Sequence, residues 1–327
     1  MSLIVNNLSK KYGDKTVLES LSFTMEKPGV YALLGTNGAG KTTSIRMILG
    51  MLSKNSGEVL WKGVPLDTAT CNVGYLAEER GLYPKYELMD QLLYFSSLRG
   101  VSKSEAKKRI KYWADRLEVS EYLYPKQSVS AAGRGGLLSS KGRVKREKPK
   151  KADQLSKGNQ QKIQLVAALI SDPELLILDE PLSGLDPVNT DLFKAIIHEE
   201  IEKGKYLIMS SHQMETVEEF CTDITILDRS KVVLQGNLNE IKKGYGRVNL
   251  NLKVEQDISE YIREAGITIT YEKEFEYRLK VSGEEQANQL LKVLIENHIP
   301  VITFSLREPS LHEIFVQKVG GEAHEAE

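Results

Sequence analysis

Hydrophobic and polar residues alternate over the first thirty positions of the chain. Two such series flank a turn at Gly13-Asp14, with apolar residues at Leu3, Val5, Val17, Leu21, Phe23 and Met25. This period of two predicts short antiparallel strands with one buried face. The next segment, Val30–Leu34, is almost wholly apolar, which predicts a strand buried on both faces of a sheet. A glycine-rich turn and a helix from about Thr42 to Leu49 are expected to follow.

Farther along, the spacing of apolar residues is helical from about Glu87 to Leu117. After residue 155, predicted helices alternate with predicted strands: helix 159–170, strand 175–178, helix 188–202, strand 206–210, helix 213–220 and strand 224–227. Helices that alternate with buried strands indicate a largely parallel α/β sheet.

The pattern changes near Gly244–Gly246. The predicted order beyond it is strand 248–254, helix 258–265, a strand pair within 267–281, helix 284–298, strand 300–306 and helix 310–319. This βαββαβ order predicts a small α+β domain of the ferredoxin-like type. We therefore expect a first domain over residues 1–245, an accessory domain over 246–319 and a frayed acidic tail over 320–327.

Composition is that of an ordinary folded protein, with 41% hydrophobic residues, 27% charged residues and a formal net charge of −1. No leader with a basic and then an apolar region is evident at the N-terminus, and no apolar run approaches the roughly 18 residues needed to span a bilayer. Cys71 and Cys221 have no metal-like spacing and are expected to be reduced. If the protein drives transport, another chain must supply the pore.

One stretch, residues 126–151, differs strongly from this average. It holds nine Lys or Arg residues and one Glu, a net charge of 9 − 1 = +8. Its sequence has no useful period, so a solvated loop is the simplest expectation. A patch that contacts anionic lipid or a protein partner is the alternative.

Residues Gly35–Thr42 fit the phosphate-binding pattern G-x-x-x-x-G-K-[ST], between the apolar strand and the following helix. The glycines allow backbone N–H groups to converge on phosphates, and the helix adds its positive end. Lys41 would contact the same phosphates, and the Thr42 hydroxyl can ligate Mg²⁺. At this point ATP and GTP are not distinguished.

Two further segments carry candidate chemistry. The apolar run Leu175–Leu178 ends in Asp179 and Glu180, where Asp179 can hold the Mg²⁺ shell and Glu180 can polarise a water. Ser156 and Gly158 open the helix predicted over 159–170. A serine and a glycine there can form an anion site or simply a helix cap.

Taken together, these motifs resemble the ATPases of ABC transporters, in that family's order across residues 1–245. Gly35–Thr42 is similar to the Walker A loop, Leu175–Glu180 to the Walker B strand and Leu155–Gln160 to the signature. Ser183–Asp186 resembles the D-loop, and His212 stands where the family has its switch histidine. The resemblance implies a P-loop ABC ATPase domain with a helical arm at about 80–152, which contains the basic stretch as an insertion.

The resemblance also implies roles for single residues. Tyr12, with Val17 beside it, would stack on adenine, which favours ATP, and Glu180 and His212 would be catalytic. In that family two copies enclose two ATP molecules, so Ser156 and Gly158 would contact the nucleotide of the partner copy. The residues expected to contact ATP or its Mg²⁺ are Tyr12, Val17, Gly35, Asn37, Gly38, Ala39, Gly40, Lys41, Thr42, Thr43, Glu78, Asp179, Ser156, Gly158 and Asp186, with Thr42, Asp179 and Glu78 at the metal.

Two departures from the family pattern concern the signature, which reads Leu-Ser-Lys-Gly-Asn-Gln, and Glu78, which stands where a coupling glutamine is usual. Both variants, and the appended domain, are similar to bacterial exporters of the ABC-2 type, including sodium-efflux systems. The resemblance implies a homodimer, a separate ABC-2-type permease and a position in the cytoplasm on the inner face of the cell membrane. No nucleic-acid partner is expected from it.

Two other functions remain open. A soluble ABC protein that acts on ribosomes or DNA would use the basic stretch, because phosphate contacts dominate nucleic-acid affinity. Such proteins usually carry two cassettes or long coiled coils, and this chain has neither. A different P-loop enzyme, such as a small-molecule kinase, would leave Ser156, Gly158 and Ser183–Asp186 without a role.

Overall fold

The computed structural model describes residues 2–79, 81–124, 127–129, 144–146 and 150–321. The chain forms two compact units. The first comprises residues 1–212 and 227–232, and the second comprises residues 213–226 and 233–327.

The strands and helices follow one another throughout the described residues. The strands are β1 Leu3–Tyr12, β2 Lys15–Met25, β3 Gly29–Gly35, β4 Ser56–Trp61, β5 Val64–Pro65, β6 Val73–Leu76, β7 Gln127–Val129, β8 Val144–Arg146, β9 Leu175–Asp179, β10 Tyr206–Ser211, β11 Asp223–Asp228, β12 Lys231–Asn237, β13 Asn249–Val254, β14 Thr268–Lys273, β15 Glu276–Lys280 and β16 Val301–Arg307. The helices are α1 Lys41–Ile48, α2 Leu88–Leu98, α3 Lys103–Arg116, α4 Ser120–Leu123, α5 Lys157–Leu169, α6 Pro187–Glu202, α7 Met214–Glu218, α8 Leu238–Tyr245, α9 Ser259–Glu264, α10 Glu284–Glu296 and α11 Leu311–Gly321.

A six-stranded sheet, in the order β12-β11-β3-β10-β9-β6, is central to the fold. The pairs β3–β10, β10–β9 and β9–β6 are parallel, and every residue of β3, β9 and β10 is buried. The prediction of a largely parallel α/β sheet is therefore confirmed. Because the carboxyl ends of parallel strands share one edge, β3, β9 and β10 deliver Gly35, Asp179 and Ser211 to the same edge of the sheet.

The N-terminal strands form a second sheet, in the order β2-β1-β4-β5. The β1–β2 and β1–β4 pairs are antiparallel, as the alternation of apolar residues predicts. Alternate side chains of β1, from Leu3 to Val5, are buried, while Asn6 and Asn7 are exposed. Their apolar faces join one core with α1 and the central sheet.

Helices α2, α3 and α4 form the arm. Ile110 and Trp113 of α3 are buried, in agreement with the helical spacing of the sequence.

Within the basic stretch, β7 and β8 pair antiparallel, so the expectation of a loop is wrong for these two segments. Valines at the matched positions 129 and 144 have the β-branched side chains that favour strands. Most of that stretch lies outside the described residues.

The second unit contains the βαββαβ order predicted from the sequence. Its sheet has the order β14-β15-β13-β16, and each described neighbour pair is antiparallel. This is the ferredoxin-like arrangement, and that part of the fold prediction is confirmed. Leu250, Leu252 and Val254 of β13 are buried beneath α9 and α10, so the residues between them lie on the opposite face. Over the parts of the chain described above, no helix combines the length and apolar character needed to cross a lipid bilayer.

Candidate nucleotide site

The glycine-rich loop that connects β3 to α1 has a backbone that only glycine adopts easily. Gly35, Gly38 and Gly40 have φ angles of 145°, 83° and 111°. A Cβ atom on Gly35 would lie 2.2 Å from the carbonyl oxygen of Leu227, and one on Gly40 would lie 2.8 Å from that of Val17. These short distances leave no room for a side chain, so both positions require glycine. Without side chains, the loop can curl tightly enough to surround a phosphate.

Lys41 places its positive charge inside this loop. The side chain is 6% exposed, and Nζ donates hydrogen bonds to the carbonyl oxygens of Gly35 at 2.9 Å and Thr36 at 3.2 Å. The same Nζ lies 3.3 Å from Oε1 of Glu180. A phosphate bound in the loop would compete with Glu180 for this ammonium group.

Asp179, at the end of β9, is a buried carboxylate with one satisfied oxygen. Its Oδ1 accepts hydrogen bonds from Thr42 Oγ1 at 3.2 Å and from Ser210 Oγ at 2.5 Å. Its Oδ2 is buried and has no hydrogen-bond partner within the described part of the chain. Desolvation raises the pKa of the Asp179 carboxyl, although the two hydroxyl donors oppose the shift. A bound cation would stabilise the charged form of this group.

The surroundings of Asp179 fit a hard divalent cation. The Thr42 hydroxyl is adjacent, and Glu78 Oε2 lies 3.5 Å from Thr42 Oγ1. In the described ranges, no three or more His, Cys, Asp or Glu side chains are grouped so that they could hold a metal by themselves. A cation here would therefore complete its shell with phosphate oxygens and water, as Mg²⁺ commonly does.

Glu180 is held in a strained backbone conformation next to His212. Its φ angle is 50°, in the left-handed region that a residue with a Cβ rarely adopts, and its N–H donates to Ser210 Oγ at 2.9 Å. Glu180 Oε2 lies 2.8 Å from His212 Nδ1 and accepts a 3.4 Å hydrogen bond from the His212 N–H. The carboxylate is thus fixed in a position where it can act as a general base.

These groups surround a cavity of about 320 Å³. It is lined by Val17, Asn37, Gly38, Gly40, Lys41, Thr42, Thr43, Glu78 and Glu180. Asp179 does not line the cavity but contacts the lining residue Thr42, and His212 likewise contacts the lining residue Glu180. Gly35 and the buried Ala39 pack against each other within the loop. The Tyr12 ring is not among the lining residues. It is 54% exposed, and Lys10 Nζ lies over the ring at 4.8 Å from its centre.

The remaining predicted residues lie apart from this cavity. Ser156 caps α5 by accepting a 3.3 Å hydrogen bond from the Asn159 N–H, and Asp186 caps α6 by accepting one of 3.0 Å from the Asn189 N–H. The Asn189 N–H also lowers the pKa of Asp186. Gly158 has space around it, since a Cβ there would find its nearest neighbour, Leu185 Cδ2, at 3.6 Å. Ser156, Gly158 and Asp186 are not among the residues that line the cavity.

Sequence reasoning missed two residues that shape the site. Ser210 bridges the ends of β9 and β10, because its hydroxyl donates to Asp179 and accepts from the Glu180 N–H. Gln161 of α5 donates from Nε2 to the carbonyl oxygens of Glu180 at 3.3 Å and Pro181 at 2.7 Å. A polar residue at the end of a buried strand is a usable signal for Ser210, whereas nothing local marks Gln161.

A glycine-rich loop, a buried lysine and a strand ending in two carboxylates define a P-loop nucleoside triphosphatase. Comparison with known proteins identifies the family to which the chain belongs within the P-loop nucleoside triphosphatases. A family model described as ABC transporter matches residues 18–183, and one described as the C-terminal domain of DrrA1-3-like ATP-binding proteins matches residues 236–319.

Curated relatives match between 70% and 97% of the chain. An uncharacterised ABC transporter ATP-binding protein, YhaQ of Bacillus subtilis, is 39% identical over 97% of this chain and 98% of its own length. The linearmycin resistance ATP-binding protein LnrL of the same species is 29% identical over 97% and 98%. The Nod factor export ATP-binding protein I of Burkholderia orbicola is 30% identical over 70% and 69%.

Solved structures agree with this result. The ATP-binding subunit of an ABC transporter superposes with a TM-score of 0.61 at 26% identity, covering 75% of this chain and 93% of that one. The chain belongs to the ABC transporter family, as an ATP-binding subunit that hydrolyses ATP to power transport.

Proposed function

We propose that this chain powers an exporter as a homodimer that binds Mg²⁺·ATP at two shared sites. The observation that carries the proposal is the composition of the cavity. It holds the phosphate loop and Glu180, but the signature residues Ser156 and Gly158 do not line it. A second copy, facing the first, would bring those two residues to the γ-phosphate from the other side.

Within each site, the phosphates would lie against the N–H groups of the loop and the ammonium group of Lys41. Mg²⁺ would be held by Thr42 Oγ1, by Asp179 and, directly or through water, by Glu78, and it would neutralise charge on the phosphates. Tyr12 would stack on adenine with Val17 beside it, and Asp186 would lie at the interface between copies. Glu180 would take a proton from the attacking water, while His212 would hold that water and the γ-phosphate.

Substitution of Asp179 with Asn is expected to change the stability of the ligand-free protein and its Mg²⁺-dependent activity in opposite directions. Burial disfavours the charged form of this carboxyl, so its raised pKa costs stability at pH values above the unfolded value of 3.8. Removing the charge is therefore expected to raise the melting temperature at pH 7 without ligand, and to lower Mg²⁺-dependent ATPase activity on the order of 10²-fold. Thermal unfolding at pH 4 and pH 7, with magnesium titrations, tests both effects. A lower melting temperature at pH 7 would contradict the first.

Export, rather than import, is supported by relatives whose names include linearmycin resistance and Nod factor export. The transmembrane path would come from a permease of the ABC-2 type, so the chain would lie at the cytoplasmic face of the membrane.

A cleft of about 400 Å³ between β6, α2 and α5, lined in part by Tyr75, Phe95 and Leu98, is a suitable place for a permease element. Leu98 is 64% exposed there, which favours an apolar contact.

The decisive experiment is purification of the tagged chain from detergent-treated native membranes, with mass spectrometry of the proteins that accompany it. We expect a polytopic permease in the eluate, and we expect Leu98→Glu to reduce its recovery at least about tenfold. Ile295→Glu, at an apolar residue that is 60% exposed, lies on α10 and does not line the cleft, is the matched control. Recovery of ribosomal proteins or nucleic acid without a permease would overturn the proposal.

A further inference from the structure

A second cavity, of about 640 Å³, lies wholly within the second unit. One side of it is the exposed face of the β13, β15 and β16 sheet. The other is formed by α7, α8, the residues that lead into α11 and the first turn of α11. Its volume is in the range of about 300–1,000 Å³ that small-molecule sites occupy. We call it the C-terminal cleft.

The sheet side of the C-terminal cleft carries three cations. Lys280 and Arg307 lie on either side of Asn249 in one row of the sheet. In the next row, Arg278 and Ser305 lie on either side of Asn251. Paired strands are about 5 Å apart, so the backbones of Lys280 and Arg307, with β13 between them, are about 10 Å apart on the face that also carries Arg278.

None of the three cations has a carboxylate within ion-pair distance among the described residues. Lys280 Nζ donates a 3.0 Å hydrogen bond to Asn249 Oδ1, and Arg307 Nε donates one of 3.0 Å to Ser305 Oγ. The Arg278 guanidinium lies 5.0 Å from the centre of the Tyr271 ring. The Glu313 carboxylate is hydrogen-bonded to Asn249, between Lys280 and Arg307, and Lys280 interacts with it electrostatically. The three cations keep further donors for a second anionic group, and guanidinium groups bind a carboxylate in a bidentate manner.

Four glutamates line the opposite side and its rim. Glu218 is satisfied by an ion pair with Lys242 and a 3.0 Å hydrogen bond from the Leu311 N–H. Glu313 accepts two 2.9 Å hydrogen bonds from Asn249 and others from Ser310. Within the described residues, Glu215 and Glu308 have neither an ion pair nor a hydrogen bond to their side chains, so these two carboxylates are available to a ligand.

We propose that the C-terminal cleft binds a small zwitterion, with an amino acid or a short peptide as the chemical class. The carboxylate of the ligand contacts Arg278, Arg307 and Lys280, and its ammonium group contacts Glu215 and Glu308. The lining charges support this choice. Four cations (Lys242, Arg278, Lys280 and Arg307) and four anions (Glu215, Glu218, Glu308 and Glu313) give 4 − 4 = 0, so a ligand with net charge gains little, whereas one with both charges is matched on both sides.

The position of Glu215 gives the ligand a route to the ATPase reaction. Glu215 lies on α7, which begins at Met214, two residues after His212 in the chain. A ligand that fixes Glu215 restrains the segment that follows this histidine. This step, unlike the binding site itself, rests on the proposed function, and it predicts that the ligand changes the rate of ATP turnover.

Binding is tested on the full-length protein by saturation-transfer NMR. The probes are an equimolar mixture of the twenty standard amino acids and, separately, L-alanyl-L-alanine. We expect saturable binding of at least one probe with a Kd of about 1 mM or tighter. The N-acetyl and C-amide derivatives of that probe, each with one charge removed, should bind at least about tenfold more weakly. No saturable binding, or equal binding of the derivatives, would overturn the proposal.

Single substitutions test whether the probe binds in the C-terminal cleft. Arg278→Gln and Arg307→Gln should each raise the Kd at least about tenfold. Lys253→Gln, on the same exposed face of β13 but not among the residues that line the cleft, should leave it unchanged. Because binding is measured without ATP, failure of the site and failure of the transport function are distinguishable. If the probe binds and the ATPase rate stays constant, the coupling to His212 is wrong.

Discussion

Replacement of Glu180 with Gln is expected to lower ATP turnover by on the order of 10²–10⁴, while ATP still binds. An amide keeps the size and shape of the side chain but is not a general base. Oε2 of Glu180 is 2.8 Å from His212 Nδ1, and the side chain is 4% exposed, so few other groups can replace it. Single-turnover ATPase assays and nucleotide-binding titrations measure the two properties separately.

The Lys41–Glu180 ion pair predicts the direction in which this substitution changes ATP affinity. Lys41 Nζ lies 3.3 Å from the Glu180 carboxylate, so the charge of Glu180 competes with a phosphate for the lysine. The variant should therefore bind ATP as tightly as the native chain or more tightly. Glu174→Gln is the matched control, because Glu174 immediately precedes the same strand and its side chain is 58% exposed. Unimpaired turnover in Glu180→Gln would remove this residue from the role of base.

Local sequence predicted those parts of the site that depend on short segments. The strand, loop and helix around Lys41 are encoded in consecutive residues, since the glycines permit the turn and the apolar run forms the strand. The same holds for Asp179 at the end of β9. The parallel order of the strands followed from the alternation of helices and strands.

Contacts between distant segments could not be predicted in this way. Ser210 meets Asp179 across 31 residues, and Lys41 meets Glu180 across a still longer separation, so neither contact leaves a periodic signal. Likewise, the C-terminal cleft depends on the register that places Arg307 and Lys280 on either side of Asn249. Sequence periodicity gives the face of each residue but not its neighbour on the next strand. The β7–β8 pair, predicted as loop, is a further case.

The shared sites of the proposed homodimer predict a recovery of activity on mixing two inactive variants. Lys41→Gln removes the cation of the phosphate loop, and Ser156→Arg places a bulky side chain where the signature would meet the partner's phosphate. Each variant alone should lose ATPase activity at least about 10²-fold. Ser102→Arg is the control for the second change, because Ser102 also caps a helix by accepting a 3.3 Å hydrogen bond, in α3, and lies outside the site.

In an equimolar mixture of the two variants, random pairing gives about half mixed dimers. Each mixed dimer has one site in which both the phosphate loop and the signature are native, so about a quarter of native activity should return. If each signature served its own chain's cavity, every copy would retain one defect and no activity would return. The mixing experiment therefore decides between shared and separate sites without a structure of the dimer, and an absence of recovery from two correctly folded variants would contradict the shared sites.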